Sequence, residues 1–453
     1  MKRVVGAMAG EMLHLLRSLW ALALVALLAE LGYAVMLTGA LPLYLPAPPP
    51  HGIGASYTLT GAIISTFLVA EALFRAPLGW WADRIGRKPF ITLGLCVSAV
   101  TPLLMHAVRH PLLFFPLRAL DGVGSAALWP CVFTTVASLT EGERRTAAMS
   151  IFTMTYVAGV VLGLPIYSLF VSLTSHPVRV HLHGKVYETT AHSNDIFYVI
   201  AAVFAIAALL SYFFVPSTHS KQETIEVDGR SHRAPEVPGE TLGLREAMHL
   251  AVLDPVLKPM MLTVFLQTLG LNLLTGPFVW FVKSQLGLGE AQIGKAFIGP
   301  GIAVALLALP LGWLGGRWGK VRSVRAGLGL AALSMWAIPH VWNLWQLTAI
   351  AIPLMAGFLI ALPAWQALIT EIAPPGQQGL VVGAMATAQG VGAMVGPTIG
   401  SLLYEDAASL LHASDQVGRH MPFYGAALLF TVAFALSLRY FHEGSRIRFA
   451  ARQ

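Results

Sequence analysis

The chain has 453 residues, 56% of them hydrophobic and only 11% charged, with a mean hydropathy of +0.68. A water-soluble chain carries about twice that charged fraction, so the composition excludes an ordinary soluble domain and points to the bilayer. The net charge of +7 does not imply nucleic acid, because the cations gather at the edges of apolar runs, where anionic lipid accounts for them.

Taken in chain order, the apolar runs predict twelve membrane-spanning helices, at about 18–45, 58–81, 89–108, 111–139, 147–174, 196–215, 257–282, 291–315, 323–341, 344–371, 379–404 and 421–440. The first run, Leu19 to Leu45, is longer than the ~7–15 residues of a signal h-region, so a retained span is expected there. The two cysteines, Cys96 and Cys131, fall inside apolar runs without metal-ligand spacing and read as small core residues.

Between spans 2 and 3 stands GWWADRIGRKPF, Gly79 to Phe90. It concentrates Asp83, Arg84, Arg87 and Lys88 in a chain poor in charge, and Gly79 and Gly86 permit a sharp turn. Three cations against one anion beside an apolar run mark a cytoplasmic loop. The cation balance extends this to the whole chain. With both ends inside, 21 of the 29 Lys and Arg residues fall on the inner side, 6 on the outer side, and Arg75 and Arg118 inside spans. That bias predicts cytoplasmic termini.

The outer loop Ser175–Asp195 is hydrophilic and holds His176, His181, His183 and His192, which suit a solvated loop better than a metal site. The segment Ser217–Asp254 is polar and rich in Pro, Glu and Arg, a cytoplasmic linker whose end, LGLREAMHLAVL, has the pattern of a short surface helix. The expected organisation is an N-terminal six-helix half (1–216), a linker (217–255) and a C-terminal six-helix half (256–453).

An internal repeat supports two halves. PLGWWADRIGRK begins at Pro77 and PLGWLGGRWGK at Pro310, 233 residues later. Gly159 and Gly392, Gly163 and Gly396, and Pro130 and Pro363 share that offset. Five charged residues lie within first-half spans: Glu30, Glu71, Arg75, Arg118 and Asp121. Their counterparts are Thr263, Val304, Ala308, Ala351 and Leu354, all uncharged. An ionisable group in a bilayer interior is costly and faces a cavity or a partner. Proton or ion chemistry is therefore expected in the first half, and shape and apolar contact in the second.

Glu71 and Arg75 are i,i+4 neighbours and Arg118 and Asp121 are i,i+3, so each can pair within its helix. Glu30 has no charged neighbour of its own helix, which makes it the first candidate for a group that takes and releases a proton. A neutral buried Glu with a hydrogen-bond partner is the alternative. Tyr33, Trp129, Gln267, Asn272, Trp280 and Trp365 are cavity candidates that could equally be packing residues.

The motif G-x-x-x-D-R-x-G-R-K at Gly79–Lys88 resembles the loop between helices 2 and 3 of the major facilitator superfamily. LRALDGVGSAA, from Leu117, resembles the helix 4 motif of its proton-coupled members, with Arg118 and Gly122 in matching positions and Asp121 departing from the pattern. Span 5 resembles the G-x-x-x-G-P motif of drug exporters with the proline displaced to Pro165, while the fuller form, GAMVGPTIG, lies on span 11 from Gly392. Small residues at this spacing also serve close helix packing.

The resemblance implies an all-α membrane protein with twelve transmembrane helices in two pseudo-symmetric six-helix bundles. It implies a proton-coupled drug antiporter of the bacterial inner membrane. Asp83 would latch to the start of helix 11 near Gln377–Gly379, and Arg118 would govern proton release. No cofactor is expected beyond the proton as coupling ion. The expected partners are a small-molecule substrate and the lipid bilayer, with no nucleic acid, and the chain is expected to be a monomer. A lipid or glycolipid flippase, an uptake permease and a non-transporting receptor remain alternatives. No nucleophile elbow, H-E-x-x-H or P-loop is present, so an enzyme is not expected.

Overall fold

The computed structural model describes residues 2–140, 142–174, 177–182, 185–190, 193–216, 224–227, 230–233, 255–294, 296–298, 307, 311, 315, 317–372, 378–410 and 414–442. Its helices are α1 (Lys2–Val35), α2 (Leu41–Tyr44), α3 (Tyr57–Ile85), α4 (Arg87–Ala107), α5 (Phe114–Leu139), α6 (Gly142–Thr174), α7 (Ile196–Phe214), α8 (Leu257–Asn272), α9 (Pro277–Leu286), α10 (Lys320–Ala337), α11 (Leu344–Ile372), α12 (Gln378–Leu410) and α13 (Asp415–Tyr440). Residues 290–294 and 296–298 are also helical. Among the described residues eight helices are long and apolar enough to cross a membrane, or nine if the bent pair α8–α9 is one span.

The chain divides into two units. One holds Met1–Ser56, Ala62–Gln222 and Gly289–Phe297, the other Tyr57–Gly61, Glu223–Leu288 and Ile298–Gln453. In the first, α1 packs on α6 and α7, and α4 on α5 and α7. In the second, α8 packs on α12 and α13, and α10 on α11 and α13. The pairing scheme is the same in both. So is one detail: a methyl added at Gly94 would sit 2.5 Å from the Gly124 carbonyl oxygen, and one at Gly327 would sit 2.6 Å from that of Gly357. Gly94 and Gly327 are 233 residues apart, as are Gly124 and Gly357, and their missing side chains let α4 meet α5, and α10 meet α11, backbone to backbone.

Two expectations change. The stretch Gly79–Phe90 is not a loop: α3 runs on to Ile85 and α4 starts at Arg87. Gly86 alone makes the turn, at φ 115° and ψ 146°, a region open to glycine and closed to side chains. The helix persists because its polar end is satisfied locally. Arg84 lies over the Trp80 ring, 3.2 Å from its centre, and Arg87 reaches back to Asp83 at 3.3 Å.

Span 7 is not continuous: α8 and α9 meet at a 44° bend. Pro277 offers no N–H to the preceding turn, and Gly276 takes φ 94° there. The outer loop 175–195 contains a β-hairpin, β1 (Pro177–Leu182) paired antiparallel with β2 (Lys185–Thr190). The segment expected to be a cytoplasmic linker contains another, β3 (Thr224–Val227) with β4 (Arg230–Arg233). The remainder of that linker, including LGLREAMHLAVL, lies outside the described residues, as do His176, His183, His192, Gly316, Gln377 and most of span 8.

The first span is also irregular. Its helix passes through a π-turn at Met36–Ala40 before ending in α2. Gly39 lies in that turn against the Tyr167 ring of α6, where a side chain would not fit. π-turns of this kind commonly mark functional stretches of a helix.

Candidate functional site

The five charged residues of the first-half spans belong to the first unit, on α1, α3 and α5. Two pairs form as their helical spacing predicts. Arg75 donates to Glu71 at 2.6 Å, with the Arg75 side chain half exposed. Arg118 donates to Asp121 at 2.5 Å, with both side chains closed from solvent.

Neighbouring helices tie the pairs together. Ser125 of α5 donates to Glu71 of α3 at 3.0 Å. The Arg118 guanidinium sits 4.4 Å from the centre of the Phe67 ring, also on α3. These helices approach closely because Gly122 faces the Phe67 carbonyl without a side chain. Tyr33 of α1 shares a 2.8 Å hydrogen bond with Ser98 of α4, its ring against Phe67 and Phe204.

Glu30 differs from the other acids. It is buried on α1, its Cβ and Cγ pressed on the bare backbone of Gly159 in α6. No described residue forms a hydrogen bond or ion pair with its carboxyl. Glu71 lies within its electrostatic reach, and Tyr156 of α6 lies within reach of Glu30, Glu71 and Arg75. Tyr156 in turn meets Trp129 edge-on at 5.6 Å, and Trp129 stacks on Phe133 at 5.8 Å. Carboxyls, one half-exposed guanidinium and an aromatic wall thus share one region of the first unit. Such a set can exchange a proton and hold an apolar or cationic body.

The second unit repeats the packing without the charge. Thr263, the counterpart of Glu30, is buried and donates to the Pro259 carbonyl at 2.7 Å. Gln267 is half-buried, and Asn272 donates to the Thr268 carbonyl at 2.9 Å while its side chain fills the space above Gly396. Trp280 is buried against Tyr57 and Tyr404, whereas Trp365 packs on Phe441. Of the six cavity candidates, Tyr33 and Trp129 belong to the first unit, and Gln267, Asn272, Trp280 and Trp365 to the second.

The signature residues form a polar knot at the α3–α4 turn. Arg87 donates to Asp83 and, at 2.9 Å, to the Thr134 carbonyl near the end of α5. Arg84 and Gly79 stay on α3, while Lys88 lies 6.0 Å from the centre of the Tyr212 ring. The expected partner of Asp83, Gln377, lies outside the described residues. Among the described residues no group of His, Cys, Asp and Glu could hold a metal ion.

Nothing in the sequence by itself singles out Ser98, Ser125, Phe67 and Tyr156. Each carries a common residue type inside an apolar run, and only its neighbours give it a role.

The family model described as Major Facilitator Superfamily matches residues 19–266 and 260–448. The chain belongs to the major facilitator superfamily. It is therefore a multi-pass membrane transporter, not an enzyme, of a family that binds small-molecule substrates within the membrane. It is 22% identical to multidrug resistance protein 1 of Bacillus subtilis over 87% of this chain and 91% of that protein. It is 21% identical to the class E tetracycline resistance protein of Escherichia coli, over 85% and 86% of the two chains. Among solved structures it resembles a bacterial homologue of the human lysosomal transporter Spinster, at TM-score 0.69 and 16% identity, covering 94% of this chain and 97% of that one. A D-xylose–proton symporter matches at TM-score 0.69 and 16% identity, over 95% and 100%. At such identities the solved structures speak for the fold.

Proposed function

We propose that this major facilitator is a proton-coupled exporter of amphipathic or lipophilic small molecules, working by alternating access. In this reading it has twelve spans in two six-helix halves and lies in a bacterial inner membrane with both termini in the cytoplasm. It acts as a monomer with no cofactor beyond the coupling proton. The single observation that carries the proposal is Glu30: a buried carboxyl with no described partner, in a unit where Glu71 and Asp121 each hold an arginine. A carboxyl free of a fixed cation can change its protonation state without breaking an ion pair. The aromatic wall of Trp129, Phe133 and Tyr156 supports an apolar substrate, and the names of the two resistance proteins support export.

The test is flux in proteoliposomes under an imposed pH difference, with a panel of lipophilic cations, lipophilic anions and lysolipids. At least one class accumulates against its gradient in the unaltered protein. Glu30→Gln abolishes that accumulation while counterflow exchange persists. Accumulation that is insensitive to the pH difference throughout the panel would overturn the coupling.

A further inference from the structure

Two helix ends of the second unit enclose a cleft of about 340 Å³. The first two turns of α10 supply Val321, Arg322 and Arg325, and the residues just after α13 supply Phe441 and His442. Two guanidinium groups and an imidazole thus meet beside two apolar side chains, and none of the lining residues is acidic. Helix electrostatics does not account for this charge. A cation is disfavoured at the start of a helix, and the first turn of α10 holds no acid to offset it.

Arg325 is fixed in place there. Its Nε donates to the Ser437 carbonyl at 3.2 Å, and its Nη2 donates to the carbonyls of Leu438, at 3.2 Å, and Phe441. These carbonyls close α13, where a cation is favoured. Backbone alone holds the guanidinium plane, and Arg325 forms no ion pair among the described residues. Nη1 takes no part in these bonds. The first unit closes the equivalent joint, between α4 and α7, without charge. Thr92, 233 residues before Arg325, shares a 2.9 Å hydrogen bond with Ser211 of α7, and Pro89 stands in the place of Arg322. The charge of the cleft therefore belongs to the second half alone and is not a consequence of the repeated build.

We propose that this cleft is a binding site for the headgroup of an anionic phospholipid, whose phosphate oxygens bridge Arg322, Arg325 and His442. A phosphate meets the planar fork of a guanidinium in parallel hydrogen bonds, and an arginine already held by carbonyls loses little freedom on binding it. The flanks favour a lipid over a soluble phosphate. Trp318, just before α10, and Leu438 and Tyr440, at the end of α13, expose side chains along which acyl chains can lie. The placement in the inner leaflet rests on the topology given above, in which α10 begins and α13 ends on the cytoplasmic side, facing the anionic leaflet.

The experiment titrates the full-length, delipidated protein in detergent with phosphatidylglycerol and reads bound lipid by native mass spectrometry. Phosphatidylglycerol binds in preference to phosphatidylcholine of the same acyl chains, and inorganic phosphate at the same concentration does not displace it. Arg322→Gln, at an exposed position, weakens that binding about ten-fold, the loss of one charge-assisted hydrogen bond. His442→Ala, also exposed, weakens it at least about three-fold. Arg439→Gln is the control: it removes the same charge from an exposed residue near the end of α13 that does not line the cleft, and it leaves binding unchanged. An equal loss in Arg439→Gln would reduce the site to diffuse attraction between surface cations and acidic lipid, and would overturn the proposal. Parental binding in both Arg322→Gln and His442→Ala, or equal binding of phosphatidylcholine, would overturn it too. Displacement by inorganic phosphate would show a free phosphate site and overturn the lipid as its occupant. Binding in detergent does not read flux. Absence of pH-driven transport in proteoliposomes leaves the site standing and removes the proton coupling; transport without selective lipid binding removes the site alone.

Discussion

Arg118 and Asp121 lie one turn apart on α5 and are joined at 2.5 Å, both sealed from solvent. The pair is incompletely satisfied, since Arg118 Nε and Asp121 Oδ1 have no hydrogen-bond partner among the described residues. Ion pairs of this kind are strong by contact and costly by desolvation, so their net stabilisation is small while the penalty for splitting them is large.

Arg118→Leu alone and Asp121→Leu alone each strand a buried charge and cost about 3–5 kcal/mol. The double substitution, which removes both charges, costs less than either single one. Thermal unfolding in detergent measures this, and additive losses in the double variant would refute it.

The acids of α1 and α3 differ in their partners despite their common chemistry. Glu71 accepts from Arg75 and Ser125, whereas Glu30 has no described partner. Glu30→Gln therefore eliminates pH-driven accumulation, and Glu71→Gln reduces it by no more than a few-fold. Arg75→Gln has a small effect on stability, below about 1 kcal/mol, because the arginine end of its pair is half exposed. Transport rates against pH difference, measured side by side for the three variants, decide the ranking.

At the α3–α4 turn, Gly86 holds φ 115° and ψ 146°; its counterpart before α10, Gly319, holds φ 94° and ψ 138°. Both angles lie where a Cβ is strained, so Gly86→Ala and Gly319→Ala each cost about 1–3 kcal/mol. Equal melting temperatures for parent and variants would show that the turn relaxes freely.

The contacts of Gly94 with Gly124 and of Gly327 with Gly357 are backbone to backbone. Gly94→Val and Gly327→Val force these helices apart and destabilise by about 1–3 kcal/mol each. Because the two sites lie in different units, the double variant adds the two losses. Denaturation midpoints of the single and double variants test both statements.

Much of this was legible from the residues in order. Apolar runs of bilayer length, the signature from Gly79 to Lys88 and the 233-residue offset sufficed for the family and for the repeated build of the chain. These are properties of composition and spacing, carried by the primary structure itself. The ion pairs at Glu71–Arg75 and Arg118–Asp121 were legible for a related reason: helical periodicity places i,i+3 and i,i+4 side chains on one face whatever surrounds them.

The tertiary structure decided what spacing cannot. The turn at Gly86 and the break at Gly276–Pro277 depend on whether a helix finds enough local partners to continue, and hydropathy does not register this. The sequence shows that Glu30 lacks a charged neighbour on its own helix. Its closure by Gly159 and the Ser125–Glu71 and Tyr33–Ser98 bonds join residues far apart in the chain. Such contacts arise only when helices pack, because only packing brings a bare backbone against a carbonyl or a hydroxyl against a carboxylate.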